Sequence, residues 1–161
     1  MLAKEILISL IDYDDWATTR LLELAARLPL EQLLAPAEVN HGSLHALLFH
    51  ILRTNYLWRS LIHTGKQPPK LSLEMFPDIS SLQGFWLKES ELLREVAAKM
   101  SPLELAQEVK IVDWQGNEQH FIAWQMLVHT LLHGMQHRSE AASLLTKFGY
   151  SPGDIDFIYY V

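Results

Sequence analysis

The chain contains no cysteine, and this absence excludes several kinds of chemistry. Without thiolates there is no cysteine nucleophile, no cysteine-ligated zinc and no iron–sulfur cluster. A transition-metal site in this protein would have to use histidine and carboxylate ligands. Histidine is plentiful, with 8 in 161 residues, so this type of site is the first one to look for.

Long apolar runs and basic blocks are also missing. The apolar stretches fall well short of the roughly 20 residues that a membrane helix requires. The opening MLAKEILISLIDYDDW has too short an apolar run and too many charges for a secretion signal. The net charge is −6 with histidine neutral, and no stripe of lysine or arginine suggests a nucleic-acid surface. These features predict a cytoplasmic protein without membrane or nucleic-acid partners.

The length and the apolar spacing predict the fold. A chain of 161 residues is expected to form a single domain over residues 1–161, with a core that needs no disulfide. Apolar residues recur at helical spacing in four segments. These segments run approximately over residues 2–28, 43–63, 79–100 and 121–148. Four amphipathic helices with short connections favour an all-α four-helix bundle.

Two further segments carry their own patterns. In VKIVDWQGNEQHFI, β-branched residues flank the turn signal QGN, which predicts a short β-hairpin or an extended excursion between the third and fourth long helices. The tail SPGDIDFIYYV is apolar for a terminus, and we expect it to pack back on the domain or into a dimer contact. Several large apolar residues are predicted to lie in the core: Trp16, Trp58, Leu82, Phe85, Leu92, Val96 and Trp124.

The stretch LLHGMQHRSE belongs to a stripe of histidines on the last long helix. His129, His133 and His137 are spaced four residues apart, so their side chains leave the same face. The outer two are eight residues apart, about 12 Å along the axis, and cannot bind one ion together. A metal site would therefore use His133 with either His129 or His137. The competing explanation is a chance alignment on a polar helix face.

A helical histidine pair needs at least one more ligand, usually from a facing helix. His50 lies on a mostly apolar face of the second long helix, where a buried imidazole needs a polar partner. His45 is rotated well away from His50 on the same helix. The three remaining histidines lie in or near predicted loops and are expected to be ordinary surface residues: His41, His63 and His120.

Three stretches together resemble the DinB family of metal-binding helical bundles: YDDWATTRLLE, GSLHALLFHILRTNYLW and LVHTLLHGMQHRSEAASLLTKFGYSPGDID. The matching positions are Tyr13, Trp16, His50, Trp58, His133, His137, Arg138, Gly149 and Asp156. The resemblance implies a DinB-type four-helix bundle whose metal ligands are His50, His133 and His137. It also implies a divalent ion, zinc or nickel among those described for the family, and a homodimer.

The chain departs from the family pattern next to these ligands. Gln136 stands where the family commonly has histidine, and Ser139 and Glu140 stand where it commonly has glycine and glutamine. The three implied ligands are retained, so the departures concern the groups around the metal. Glu140, three residues after His137, is the candidate catalytic base or the residue that orients His137. The alternative is a solvent-exposed helix carboxylate.

Three imidazoles leave a coordination position for water or substrate. A divalent ion there lowers the pKa of a bound water toward about 7 and can also stabilise a thiolate. We therefore expect a metal-dependent hydrolase or a small-thiol-dependent transferase acting on a small molecule. Any thiol would be a low-molecular-weight cosubstrate, since the chain has no cysteine. The alternatives are a non-catalytic metal-binding stress-response protein and a plain helical interaction module.

Overall fold

A computed structural model describes residues 2–37 and 41–160 and shows a mostly helical protein. The helices are α1 (Leu2–Ala25), α2 (Leu30–Leu34), α3 (Leu44–Thr64), α4 (Ile79–Lys99), α5 (Pro102–Leu105) and α6 (Ala123–Lys147). The four long helices are the four predicted segments, with ends that differ by a few residues, and the four-helix bundle is confirmed. The short helices α2 and α5 were not predicted, because a single turn or so leaves no measurable apolar period.

Each long helix packs against two of the other three. Helix α1 contacts α4 and α6, and α3 also contacts α4 and α6. The bundle interior is filled by two clusters of buried apolar side chains. Representative members are Leu21, Leu47, Leu82 and Leu145 in one cluster, and Ile11, Leu61, Leu93 and Leu127 in the other. The close packing of α3 on α6 brings the two histidine-bearing helices side by side.

Local hydrogen bonds fix where α3 and α4 begin and end. The Ser43 hydroxyl accepts a hydrogen bond from the Ala46 amide at 3.2 Å and so caps the start of α3. Gly65 ends α3 in the left-handed conformation, with φ of 66°. Asp78 and Ser81 form a reciprocal capping box at the start of α4. These ends fix the length and register of α3, which carries His50.

The segment between α5 and α6 forms a β-hairpin. Of the two predicted alternatives, a hairpin or an extended excursion, the first is correct. Strand β1 (Glu108–Val112) pairs antiparallel with β2 (Glu118–Ile122). In the turn, the Asp113 carboxylate accepts hydrogen bonds from the amides of Gln115 and Asn117. Strand β1 contacts α3 and strand β2 contacts α6, so the hairpin lies against the helices that carry the histidines.

The tail packs back on the domain, which was the first of its two predicted placements. The Tyr13 hydroxyl donates a hydrogen bond to the Ile155 carbonyl at 2.7 Å. The Tyr13 ring also contacts the rings of Phe157 and Tyr160 edge to face.

None of the described helices has the length and apolarity needed to cross a bilayer.

Two residues that were predicted to be buried are exposed. Leu92 is 41% exposed and Trp124 is 47% exposed. Leu92 lies directly before Leu93, which faces the core, so a rotation of about 100° turns it toward solvent. Trp124 similarly follows the fully buried Ala123 at the start of α6. Both helices carry apolar residues on more than one face, so the spacing of apolar residues alone could not identify these two positions as exposed.

Candidate metal centre

Three histidines from α3 and α6 lie together at the interface of the two helices. The Nε2 atoms of His50 and His133 are 3.1 Å apart. The ring of His137 lies 4.6 Å from that of His50 and 4.5 Å from that of His133, measured between centroids. The structure therefore brings together the three residues that the family resemblance implied, because α3 packs directly on the histidine face of α6.

His41 joins this cluster from the loop before α3. Its ring stacks on that of His50, with centroids 3.9 Å apart and planes at 20°. It also meets His137 edge to face at 5.1 Å. The expectation that His41 is an ordinary surface residue was wrong. Gly42, with φ of 81°, lets the chain turn just before the capped start of α3 and places the imidazole over His50.

The histidine cluster (His41, His50, His133 and His137) has spacings that suit a metal ion. Ring nitrogens of His41, His50 and His137 all lie within 4.8 Å of one another, which makes them a three-histidine group that could hold an ion. Two nitrogens on one tetrahedral zinc ion lie roughly 3.3 Å apart, because each bond is about 2.0–2.1 Å long. The separation of 3.1 Å between His50 and His133 is close to that value.

Burial keeps the imidazoles in the form that binds metals. Burial, followed by the repulsion of neighbouring rings, lowers the pKa of His50 to about 3. The same two causes lower the pKa of His133 to about 4. Burial, and then the proximity of His137, also lowers the pKa of His41. These three rings are neutral at pH 7, so a cation would not have to compete with a second proton on any of them.

Glu140 contacts one of the predicted ligands. Its Oε2 accepts a hydrogen bond from Nδ1 of His137 at 3.0 Å. The His137 side chain is only 12% exposed, whereas that of Glu140 is 36% exposed. The carboxylate therefore holds the proton of His137 on Nδ1 and leaves Nε2 free as a ligand atom, as partners of metal-bound histidines commonly do. Its exposure also lets it exchange protons with solvent.

The other histidines lie outside the cluster. His129 is exposed, and its ring is 5.9 Å from that of His133 and 4.9 Å from that of Trp58. His45 is buried elsewhere on α3, where burial lowers its pKa. His63 and His120 are at the surface, as expected. The spacing on α6 left open whether His133 pairs with His129 or with His137. The structure places His137, and not His129, against His50.

Arg53 is a second residue that the sequence did not single out as functional. It lies one helical turn after His50, and its Nη2 atom is 3.4 Å from Nδ1 of His50. The only available signal was its spacing of three residues from His50, which places both side chains on one face of α3. A positive charge therefore borders the histidine cluster on the side of α3.

Comparison with known proteins gives a consistent result. The sequence model of the DinB family matches the chain over residues 1–161. Among curated protein sequences there is no significant match. A crystal structure described as a DinB-like protein from Bacillus subtilis superposes with a TM-score of 0.66, covering 90% of this chain and 93% of that one. The two sequences are 14% identical, so this similarity shows a shared fold.

Proposed function

The chain belongs to the DinB family, and we propose that it is a metal-dependent enzyme, either a hydrolase or a small-thiol-dependent transferase. The observation that carries this proposal is the convergence of imidazole nitrogens from α3, α6 and the loop before α3. His50 and His137 would hold a divalent ion, zinc or nickel, with either His133 or His41 as the third ligand. Neutral nitrogen ligands suit both metals.

The surrounding residues support chemistry at such a site. A divalent ion would supply Lewis acidity toward a water molecule or a small thiol. Glu140 is hydrogen-bonded to His137, and its side chain is 36% exposed. It is therefore the carboxylate best placed to accept a proton from a water molecule or thiol at the metal. Any thiol would come from solution, since the chain has no cysteine.

The alternative function is a non-catalytic metal-binding protein of the stress response. His41 supports this alternative, because four imidazoles would fill a tetrahedral shell and leave no position for substrate. With three protein ligands the ion keeps an exchangeable position, as in catalytic sites. The number of imidazoles that bind at once is therefore the feature that separates the two functions.

A direct experiment tests the proposal. Protein purified without an affinity tag should contain about one zinc or nickel ion per chain by elemental analysis. We expect the loaded protein to turn over at least one ester, amide or thiol-transfer substrate, and to lose that activity with a chelator and regain it with metal. Stoichiometric metal without turnover, together with a large fall in Tm on chelation, would instead support the non-catalytic function. Protein without stoichiometric metal would contradict both.

We further propose that the protein is a cytoplasmic homodimer that acts on a small molecule. Leu132 and Met135 on α6 are 53% and 47% exposed, and Trp124, at the start of the same helix, is 47% exposed. Apolar side chains on one exposed helix face support an interface between two copies.

We expect Glu140→Gln to weaken metal affinity by roughly 10–100-fold, the range typical of residues that orient metal ligands. The substitution removes the negative charge that strengthens the hydrogen bond to His137. Competition titration with a chromophoric chelator gives the Kd. Glu95→Gln, an exposed carboxylate paired with Lys99 on α4, is the matched control and should leave the Kd unchanged. Equal affinities in the two variants would assign Glu140 no role at the metal.

A further inference from the structure

We propose that a cavity beside the histidine cluster binds the carboxylate of a small organic acid. The cavity, called here the Arg53 cavity, has a volume of about 260 Å³ and lies between α3, the segment after α3 and the turn of the hairpin. The residues that carry the argument are Arg53, Tyr56, Lys70 and Trp114. The inference rests on the proposed function, because it assigns the substrate class of the same site.

The charge of the cavity favours an anion. Its lining includes the cations Arg53 and Lys70 and no carboxylate, although the whole chain carries a net charge of −6. Neither cation forms a salt bridge within residues 2–37 and 41–160. The ammonium group of Lys70 instead lies 4.9 Å from the centre of the Trp114 ring. An acidic ligand would supply a counter-charge that the described part of the chain does not provide.

Arg53 connects the cavity to the histidine cluster. Its Nη2 atom lies 3.4 Å from Nδ1 of His50, and the residue also lines the cavity. A guanidinium offers parallel N–H donors that match the two oxygens of a carboxylate, so arginine is well suited to hold an organic acid in a defined orientation. A ligand held by Arg53 would therefore lie next to the proposed metal ligands.

The remaining walls suit an apolar ligand body. Tyr56, Leu57 and Trp114 present aromatic and aliphatic surfaces, and Trp114 is 55% exposed at the hairpin turn. A volume of about 260 Å³ lies just below the range of about 300–1,000 Å³ that is typical for drug-sized ligands. The expected ligand is therefore a small acid with a short apolar or aromatic group.

Phenylacetate and its neutral amide, phenylacetamide, provide a matched pair of probes. Each is titrated into the full chain, metal-free and zinc-loaded, while the amide and indole N–H signals are followed by NMR. We expect phenylacetate to shift the Trp114 indole signal saturably in both forms. Phenylacetamide and the Arg53→Gln variant should each show affinity lower by roughly tenfold or more, because a charge-assisted hydrogen bond is lost. Arg94→Gln, which removes an exposed arginine paired with Asp12, should bind phenylacetate normally.

The outcomes separate this inference from the proposed function. Binding of phenylacetate to a chain that takes up no metal would support the cavity and contradict the metal-dependent function. Equal affinity for acid and amide would overturn the cavity assignment, and so would unchanged affinity in a folded Arg53→Gln variant or the absence of any saturable shift. Trp114→Ala, at an exposed turn position, gives a second variant that should retain the fold while weakening binding.

Discussion

We expect His50→Ala and His137→Ala each to abolish stoichiometric binding of zinc or nickel, whereas His41→Ala and His133→Ala each only weaken it. Bound metal in the first two variants should fall from about one equivalent per chain to a small fraction. The difference follows from which histidines can share an ion. His50 and His137 lie between the other two rings and belong to both possible sets of three.

The two possible sets of three differ in one member. One set contains His41, whose nitrogen lies within 4.8 Å of nitrogens of His50 and His137. The other contains His133, whose Nε2 lies 3.1 Å from that of His50. Removing either His41 or His133 leaves the other set of three complete, and three imidazoles hold the metal in many catalytic zinc sites. Removing His50 or His137 leaves both sets incomplete, because each of these residues belongs to both sets.

Isothermal titration with zinc and elemental analysis after dialysis measure these differences. The double variant His41→Ala with His133→Ala should lose stoichiometric binding, although each single change does not. His63→Ala is the matched control, since this exposed histidine near the end of α3 lies outside the cluster. Circular dichroism checks that every variant remains helical. Stoichiometric metal in folded His50→Ala or His137→Ala would contradict the site.

Helical periodicity was sufficient to predict the two helices that build this site. The four-residue spacing on α6 put His133 and His137 on one face, and the family resemblance paired them with His50. Such local patterns survive folding because they follow from the geometry of the helix itself. Periodicity could not decide between His129 and His137, since that choice depends on how far α3 slides along α6.

His41 and Arg53 show where sequence reasoning stops. The position of His41 depends on a loop that reverses at Gly42, and loop paths have no periodic signal. Arg53 lines a cavity together with Trp114, which lies in the hairpin turn 61 positions later in the chain. Likewise, the motif match marked Arg138, but only the packing of α1 on α6 shows its partner, Asp14. Contacts between distant segments had to come from the structure.

The ion pair between Arg138 and Asp14 lies inside the bundle, where α1 meets α6. Arg138 is 2% exposed and Asp14 is 3% exposed. The guanidinium donates a hydrogen bond to the Asp14 carboxylate and lies 3.4 Å from the Thr18 hydroxyl. Space around the pair is tight, because a Cβ at Gly134 would lie 2.9 Å from both partners. Since Arg138 directly follows His137, this pair also fixes the part of α6 that carries the histidine cluster.

Asp14→Ala is expected to lower the free energy of unfolding by about 3–5 kcal/mol, because it leaves the Arg138 guanidinium buried without its counter-charge. Urea unfolding followed by circular dichroism measures the loss. Asp12→Ala is the matched control on the same helix. Its exposed pair with Arg94 should contribute no more than about 1 kcal/mol.

The double variant Asp14→Ala with Arg138→Met tests whether the loss of stability comes from the missing ion pair or from the uncompensated charge of Arg138. Removing both charges should restore much of the stability, since replacing a buried pair by apolar side chains is often neutral. Equal losses in Asp14→Ala and Asp12→Ala would contradict the buried pair. A double variant as unstable as Asp14→Ala alone would show that packing around Gly134, rather than the uncompensated charge, accounts for the loss. If the double variant is stable yet binds zinc more weakly than the unmodified chain, the pair serves chiefly to hold α6 in register for His137.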